Sequence, residues 1–193
     1  MKKKLMTALF CSSLFLGLAA CDSEESSSKE KQANATETSE ASQGDKDVYQ
    51  KEVKAEINSF VAEYDAIWNE HWKPVWTEAS ENPNMDQAKI KEQMETIQTK
   101  YTDLSTRIKA STINDKLSDE TIKEDLNTFK KEFSLAAMYR SDAARNVVQG
   151  IDGLAPMNDR MEAAKKNVEL SDEKMMSAVA ATADIEVKLG SSK

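Results

Sequence analysis

Cysteine is nearly absent from this sequence. There are two in 193 residues, Cys11 and Cys21, and none afterwards. A domain built beyond residue 21 therefore has no disulfide and no thiolate metal ligand, and its own apolar core must hold it. Histidine is scarcer still, with His71 alone. One imidazole cannot supply the two Glu-x-x-His pairs of a ferritin-type di-iron site. The Cys-x-x-Cys-His of covalent haem is missing, and a zinc site would need His71 plus three carboxylates that no spacing brings to it. No glycine-rich loop or nucleophile elbow surrounds any serine. No catalytic residue, cofactor or metal is assigned, and an enzyme is not expected. Glycine and proline are absent from Asn84 to Gln149, which argues for helices. No segment alternates apolar and polar residues as a half-buried strand would.

What is present begins with MKKKLMTALFCSSLFLGLAAC. Lys2, Lys3 and Lys4 precede a mostly apolar segment, Leu5 to Ala20. At about 16 residues it is short for crossing a bilayer and has the layout of a secretory signal. Its end, Leu18-Ala19-Ala20-Cys21, resembles the lipobox of the bacterial lipoprotein signal peptide at every position. That resemblance covers the first 21 residues. It implies cleavage after Ala20, a diacylglyceryl thioether on Cys21, and a chain anchored to the outer face of the cytoplasmic membrane without spanning it. Two acyl chains suffice for stable anchoring, where one is marginal. Residues 1–20 are then the signal peptide, and the membrane is the first expected partner, through Cys21.

Residues 22–47 contain no Val, Ile, Leu, Met or aromatic side chain. Such a stretch cannot bury enough apolar area to offset its ordering entropy, so 21–47 is expected to be a disordered tether. As a flexible coil it reaches about 28 Å. Serine-rich tethers of this kind are similar to those of Gram-positive surface lipoproteins. Loss of the three signal lysines and no acid takes the net charge from −8 to −11. So acidic a chain is not expected to bind nucleic acid or lie flat on anionic headgroups.

Residues 48–190 form the folded domain. Apolar residues recur at helical spacing in four stripes. The first runs Val53, Ile57, Val61, Tyr64, Trp68, Val75, and the second Ile90, Met94, Ile97, Tyr101, Leu104, Ile108. Ile122, Leu126, Phe129, Phe133, Ala136 and Val147 make a third. A weaker fourth is Met157, Met161, Ala164, Val168, Met175, Val179. Asn82-Pro83 ends the first helix, with Asn84 placed to cap the second. The phase slips at STINDKLSDE, where Ser118 is an N-cap candidate. Gly150, Gly153 and Pro156 separate the third and fourth helices. The second LSDE, at 170–173, is read as lying inside one continuous last helix. The fold class is all-α: an antiparallel, up-down-up-down four-helix bundle after a disordered N-terminal tether.

Residues 68–76, WNEHWKPVW, hold all three tryptophans and the one histidine. In a regular helix the ladder Phe60, Tyr64, Trp68, Trp72, Trp76 drifts about 40° per step. That places Trp68 in the core, Trp72 at its edge and Trp76 about 100° from its centre. Trp72 and Trp76 are either core and end-cap or an exposed platform for a partner. Pro74 removes a backbone hydrogen bond to the Glu70 carbonyl, so a kink is expected there. Arg140 lies mid-stripe in the third helix, where an apolar residue belongs, and a buried guanidinium needs a partner. Counting from loops near 82, 115 and 153 puts it opposite His71, Trp72 or Val75. There it would stack on Trp72 or pair with Glu70 or Glu78. Trp72, Trp76 and Arg140 are thus the candidate partner-binding residues. The expected function is a non-catalytic, lipid-anchored binding or accessory module, with a cell-envelope protein or the cell wall as possible partner. The alternatives are a carrier holding a small hydrophobic ligand between helices, and an enzyme or metal protein centred on His71.

Overall fold

Two aspartates set where two of the helices start. Asp86 accepts from the Ala88 N–H at 2.9 Å and opens the second helix, Gln87–Ala110. Asp119 accepts from Thr121 N at 2.8 Å and Ile122 N at 3.3 Å and opens the third, Glu120–Ile151. A carboxylate in this place satisfies N–H groups that have no partner in the first turn and meets the positive end of the helix. Asp119, not Ser118, is therefore the cap of the third helix. Between them the 3₁₀ turn Ile113–Lys116 buries Ile113, and Leu117 is buried after it, where the phase slip was expected. The fourth helix, Met157–Lys188, is continuous through residues 170–173.

The computed structural model describes residues 43–82 and 86–190, which fall within one compact unit. The expected signal peptide, Cys21, the expected tether up to residue 42, and residues 83–85 with Asn84 lie outside the described residues. All regular structure among the described residues is helical.

The first helix runs from residue 43 to 81 and is irregular. Two π turns, Tyr49–Val53 and Trp68–Trp72, interrupt it without breaking it, since the residues flanking each keep right-handed helical angles. Each π turn inserts a residue and takes back about 100° of rotation. Its buried positions show the effect. Asp45, Tyr49, Val53 and Ile57 are spaced by four across the first π turn, and Ile67 to Trp72 is a step of five across the second. The helix also includes Gln43–Val48, inside the stretch assigned from sequence to the tether. Asp45 is the reason. Its carboxylate accepts from the main-chain N–H groups of Ser118 and Asp119, both at 2.8 Å, and is buried against them.

Contacts between neighbouring helices rise along one and fall along the next. The first and second meet through Glu78 and Lys89, Tyr64 and Tyr101, and Glu63 and Arg107. The second and third meet through Lys91 and Asp152, Thr102 and Ser141, and Ser105 and Ser134. The third and fourth are the most extensive pair, through Asn146 and Arg160, Ala136 and Ser171, and Asp125 and Lys188. The fourth returns to the first at Ser171 and Tyr64 and at Glu186 and Lys54. Small residues let the third and fourth helices approach: Ala136, Ala137, Ala143 and Ala144 on one, Ala164, Ser171, Ala178 and Ala181 on the other are buried. Gly150 belongs to this approach, since a Cβ there would lie 2.7 Å from the Met157 sulfur. The turn between these helices uses Gly153 at a φ of 68°, a conformation that suits glycine.

Candidate functional site

The interior is built around one cation. Arg140 is buried, with 6% of its surface exposed. Its guanidinium carbon sits 3.9 Å from the centre of the Trp68 ring and 5.7 Å from that of Tyr64. Its Nε donates to Tyr64 Oη at 3.0 Å and to Ser171 Oγ at 3.2 Å. One Nη donates to Asp172 at 2.6 Å, in a salt bridge whose carboxylate lies at the surface. Ser171 Oγ donates to the Ala136 carbonyl at 2.7 Å. Having spent its proton there, Ser171 accepts from the Tyr64 hydroxyl at 2.6 Å. Tyr101 closes the network by donating to the Tyr64 carbonyl at 3.2 Å. Burial raises the phenol pKa of Tyr64, and Arg140 with the Ser171 bond pulls the other way. Burial raises that of Tyr101 as well. Both phenols are therefore neutral donors at physiological pH.

Arg140 thus finds a partner inside the protein, as its place in the stripe requires, but one turn away from the expected level. It stacks on Trp68, not Trp72, and pairs with Asp172 of the fourth helix, not Glu70 or Glu78. Counting from loop centres treats each helix as regular and equal in length. The long, π-interrupted first helix is neither. The other Nη of Arg140 is buried without a hydrogen-bond partner among the described residues.

The tryptophans continue from Arg140 as a column. Trp68 and Trp72 stack with centres 5.3 Å apart and planes 17° apart, and Trp72 meets Trp76 at 6.2 Å. Trp72 is buried at 3% exposure, and Trp68 and Trp76 are partly buried against the core. Of the two alternatives for Trp72 and Trp76, the burial of Trp72 fits the core one, with Trp76 only partly buried beside it. The π turn at Trp68–Trp72 rotates both rings inward by about 100° relative to a regular helix. The turn ends just before Pro74, on a bond from Lys73 N to the Trp68 carbonyl. The first stripe is corrected too: Phe60, Ile67 and Trp72 are buried, whereas Val61 and Trp68 are only partly so.

His71, on the other side of the π turn, lines an open cleft of about 380 Å³ with Glu70, Pro74, Lys89, Glu92, Gln93 and Thr96. Thr96 Oγ1 donates to the Glu92 main-chain carbonyl. Among the described residues no three His, Cys, Asp or Glu side chains cluster as a metal site would require.

The fourth helix holds the feature missed from sequence. Its buried residues are Ala164, Ser171, Ala178, Ala181 and Ile185, whereas Val179 is exposed. Met161, Val168 and Met175 are partly buried against the core, and Met157 is exposed, so the methionine face contributes mainly to packing. Opposite that inner face lies a second apolar row. Met176, Val179 and Val187 are 70%, 56% and 64% exposed, and Ala180 and Ala183 between them are exposed too. The signal was available, because apolar residues spread over more than one face of this helix, but a single stripe was assigned. No described helix is long and apolar enough to cross a membrane. Comparison of the chain with protein-family models, curated proteins and solved structures finds no match.

Proposed function

We propose that this protein is a lipid-anchored, non-catalytic binding module of the cell envelope, whose working surface is the outward row of the fourth helix. The row carries the reading. An interior filled by Tyr64, Trp68, Tyr101, Phe133 and Arg140 supports recognition on the outside of the bundle rather than a ligand between the helices. Exposed Met and Val at helical spacing on an otherwise charged surface are what helix-in-groove and helix-on-helix recognition use. The four helices alternate up and down as an antiparallel bundle in this reading, supported by contacts that rise along one helix as they fall along its neighbour. The Leu18-Ala19-Ala20-Cys21 lipobox supports anchoring through Cys21, with the domain on the extracellular side.

Two experiments test this. A photo-crosslinking side chain at Val179 in intact cells should form a covalent adduct with another envelope component, and one at Glu124 should not form it. Equal labelling at both positions, or none at Val179, would remove the binding surface. Feeding a radiolabelled fatty acid should label the wild type and not Cys21→Ser. Label on the variant would show that Cys21 is not the acceptor.

A further inference from the structure

We infer that the outward row docks an amphipathic helix of a partner protein whose own apolar row is flanked by lysine or arginine. This rests on the reading of the row as a binding surface and adds the chemistry of what binds. Met176, Ala180, Ala183 and Val187 step by four, three and four, the spacing of a helix-helix seam, over about 16 Å. The two alanines in its middle admit close approach, and the larger residues at its ends hold a partner in register.

The charges along its edges decide which partner. Both lysines of this stretch are drawn inward, away from the row. Lys174 pairs with Glu132 and Lys188 with Asp125, each at 2.7 Å, on the third helix. Glu173 and Asp184, both exposed, are left along one edge of the row. On the other edge Glu186 is neutralised by Lys54 at 2.6 Å and Asp172 by Arg140. Between residues 172 and 188 the row is therefore apolar with an acidic border, and both lysines of that stretch are engaged with the third helix. A second copy of this chain would bring acidic border to acidic border in an antiparallel pairing, and in a parallel one its neutralised edge would offer Glu173 and Asp184 no cation. An anionic lipid surface meets the same repulsion, and interfacial helices carry lysine and arginine beside their apolar face, the reverse of this pattern. A helix with basic flanks satisfies both the row and its border.

The test uses the full chain in phosphatidylcholine vesicles and two labelled synthetic 18-residue helical peptides. Both peptides share one leucine and alanine row, one flanked by lysines and the other by glutamates. Anisotropy is read against protein-free vesicles. The lysine-flanked peptide should bind at least tenfold more tightly than the glutamate-flanked one, and more weakly as salt rises. Val179→Gln/Val187→Gln should lose this binding with an unchanged circular dichroism spectrum, since both side chains are already in water. Glu173→Gln/Asp184→Asn should keep binding but lose most of the discrimination between peptides. Equal binding of the two peptides, or lysine-peptide binding that survives the valine substitutions, overturns the inference. So does a dimer in sedimentation that the valine substitutions dissolve, which would assign the row to a second copy. An adduct at Val179 in cells together with no peptide discrimination would leave the binding surface standing and remove only the basic partner.

Discussion

The first and fourth helices line the same interior with opposite means. The first contributes Tyr49, Phe60, Tyr64, Trp68 and Trp72 and needs two π turns to point them inward. The fourth contributes Ala164, Ser171, Ala178 and Ile185, each seven residues from the last, and stays a regular α-helix for 32 residues. Large side chains fill the space between backbones that stand apart, and where their spacing does not match 3.6 residues per turn the backbone yields. Small side chains let the fourth helix lie close to the third with no adjustment. Arg140 occupies the space between the two regimes, with the first helix's rings on one side and the fourth helix's Ser171 and Asp172 on the other. Substitutions at that junction and along the first helix test whether the contrast is real.

The largest effect is expected at Arg140. Arg140→Ala removes the cation shared by both helices and leaves a space between Trp68, Tyr64 and Ser171. Loss of about 2–5 kcal/mol is expected, the range for emptying the volume of a large buried side chain. Arg140→Met should recover much of that, because it refills the volume and asks nothing of Asp172, which can turn to water. Urea unfolding of both variants decides. If Arg140→Met were as unstable as Arg140→Ala, the hydrogen bonds and not the filled volume would be what joins the two helices.

Ser171→Ala comes next, at about 1–3 kcal/mol. It removes the acceptor of the Tyr64 hydroxyl and one of the two acceptors of Arg140 Nε, in a place water does not reach. Adding Tyr64→Phe should then cost less than it does alone, because the hydroxyl it removes has already lost its acceptor. Additive losses in that double-mutant cycle would mean the two groups do not act together.

Asp45→Ala should cost about 1–2 kcal/mol, the range for losing a side-chain cap. It frees the two N–H groups that precede the third helix and leaves the first turns of the first helix without their attachment. Limited proteolysis should then cut within Gln43–Val48, a segment that wild type should protect. Identical fragments would mean Asp45 does not hold the N-terminal turns.

How much of this was legible depended on what kind of signal the residues carry. The second and third helices were readable to within a few residues, because Ile90 through Ile108 and Ile122 through Val147 follow an unbroken helical period. That Arg140 is buried was readable from its place among Phe133, Ala136 and Val147. Its partners were not, because two π turns shift the first helix's register and no simple spacing rule announces them. That Gln43–Val48 is helical was missed for a different reason. Asp45 is buried through hydrogen bonds, and a reading that looks only for apolar side chains passes over it. The outward row on the fourth helix was passed over because small residues face inward there. Alanine and serine then mark the core, and the larger methionine and valine mark the surface.

The smallest effect is expected at Pro74, and it bears on what bends the first helix. Pro74 has no N–H, and in a regular helix its ring would strike the Glu70 carbonyl, so the π turn at Trp68–Trp72 could be its product. The other π turn, Tyr49–Val53, contains no proline and has none near it. Both lie where the buried positions fall out of step with a regular helix. With Pro74→Ala the turn could straighten and regain a hydrogen bond worth about 1 kcal/mol. Straightening would also swing Trp72 about 100° out of the core, at a cost of about 3 kcal/mol in lost burial alone. Packing wins by that margin. Pro74→Ala should therefore keep the π turn, change stability by less than about 1 kcal/mol, and leave the tryptophan emission maximum where it is in wild type. A red-shifted emission with stability unchanged would show that proline, and not the aromatic column, sets the bend.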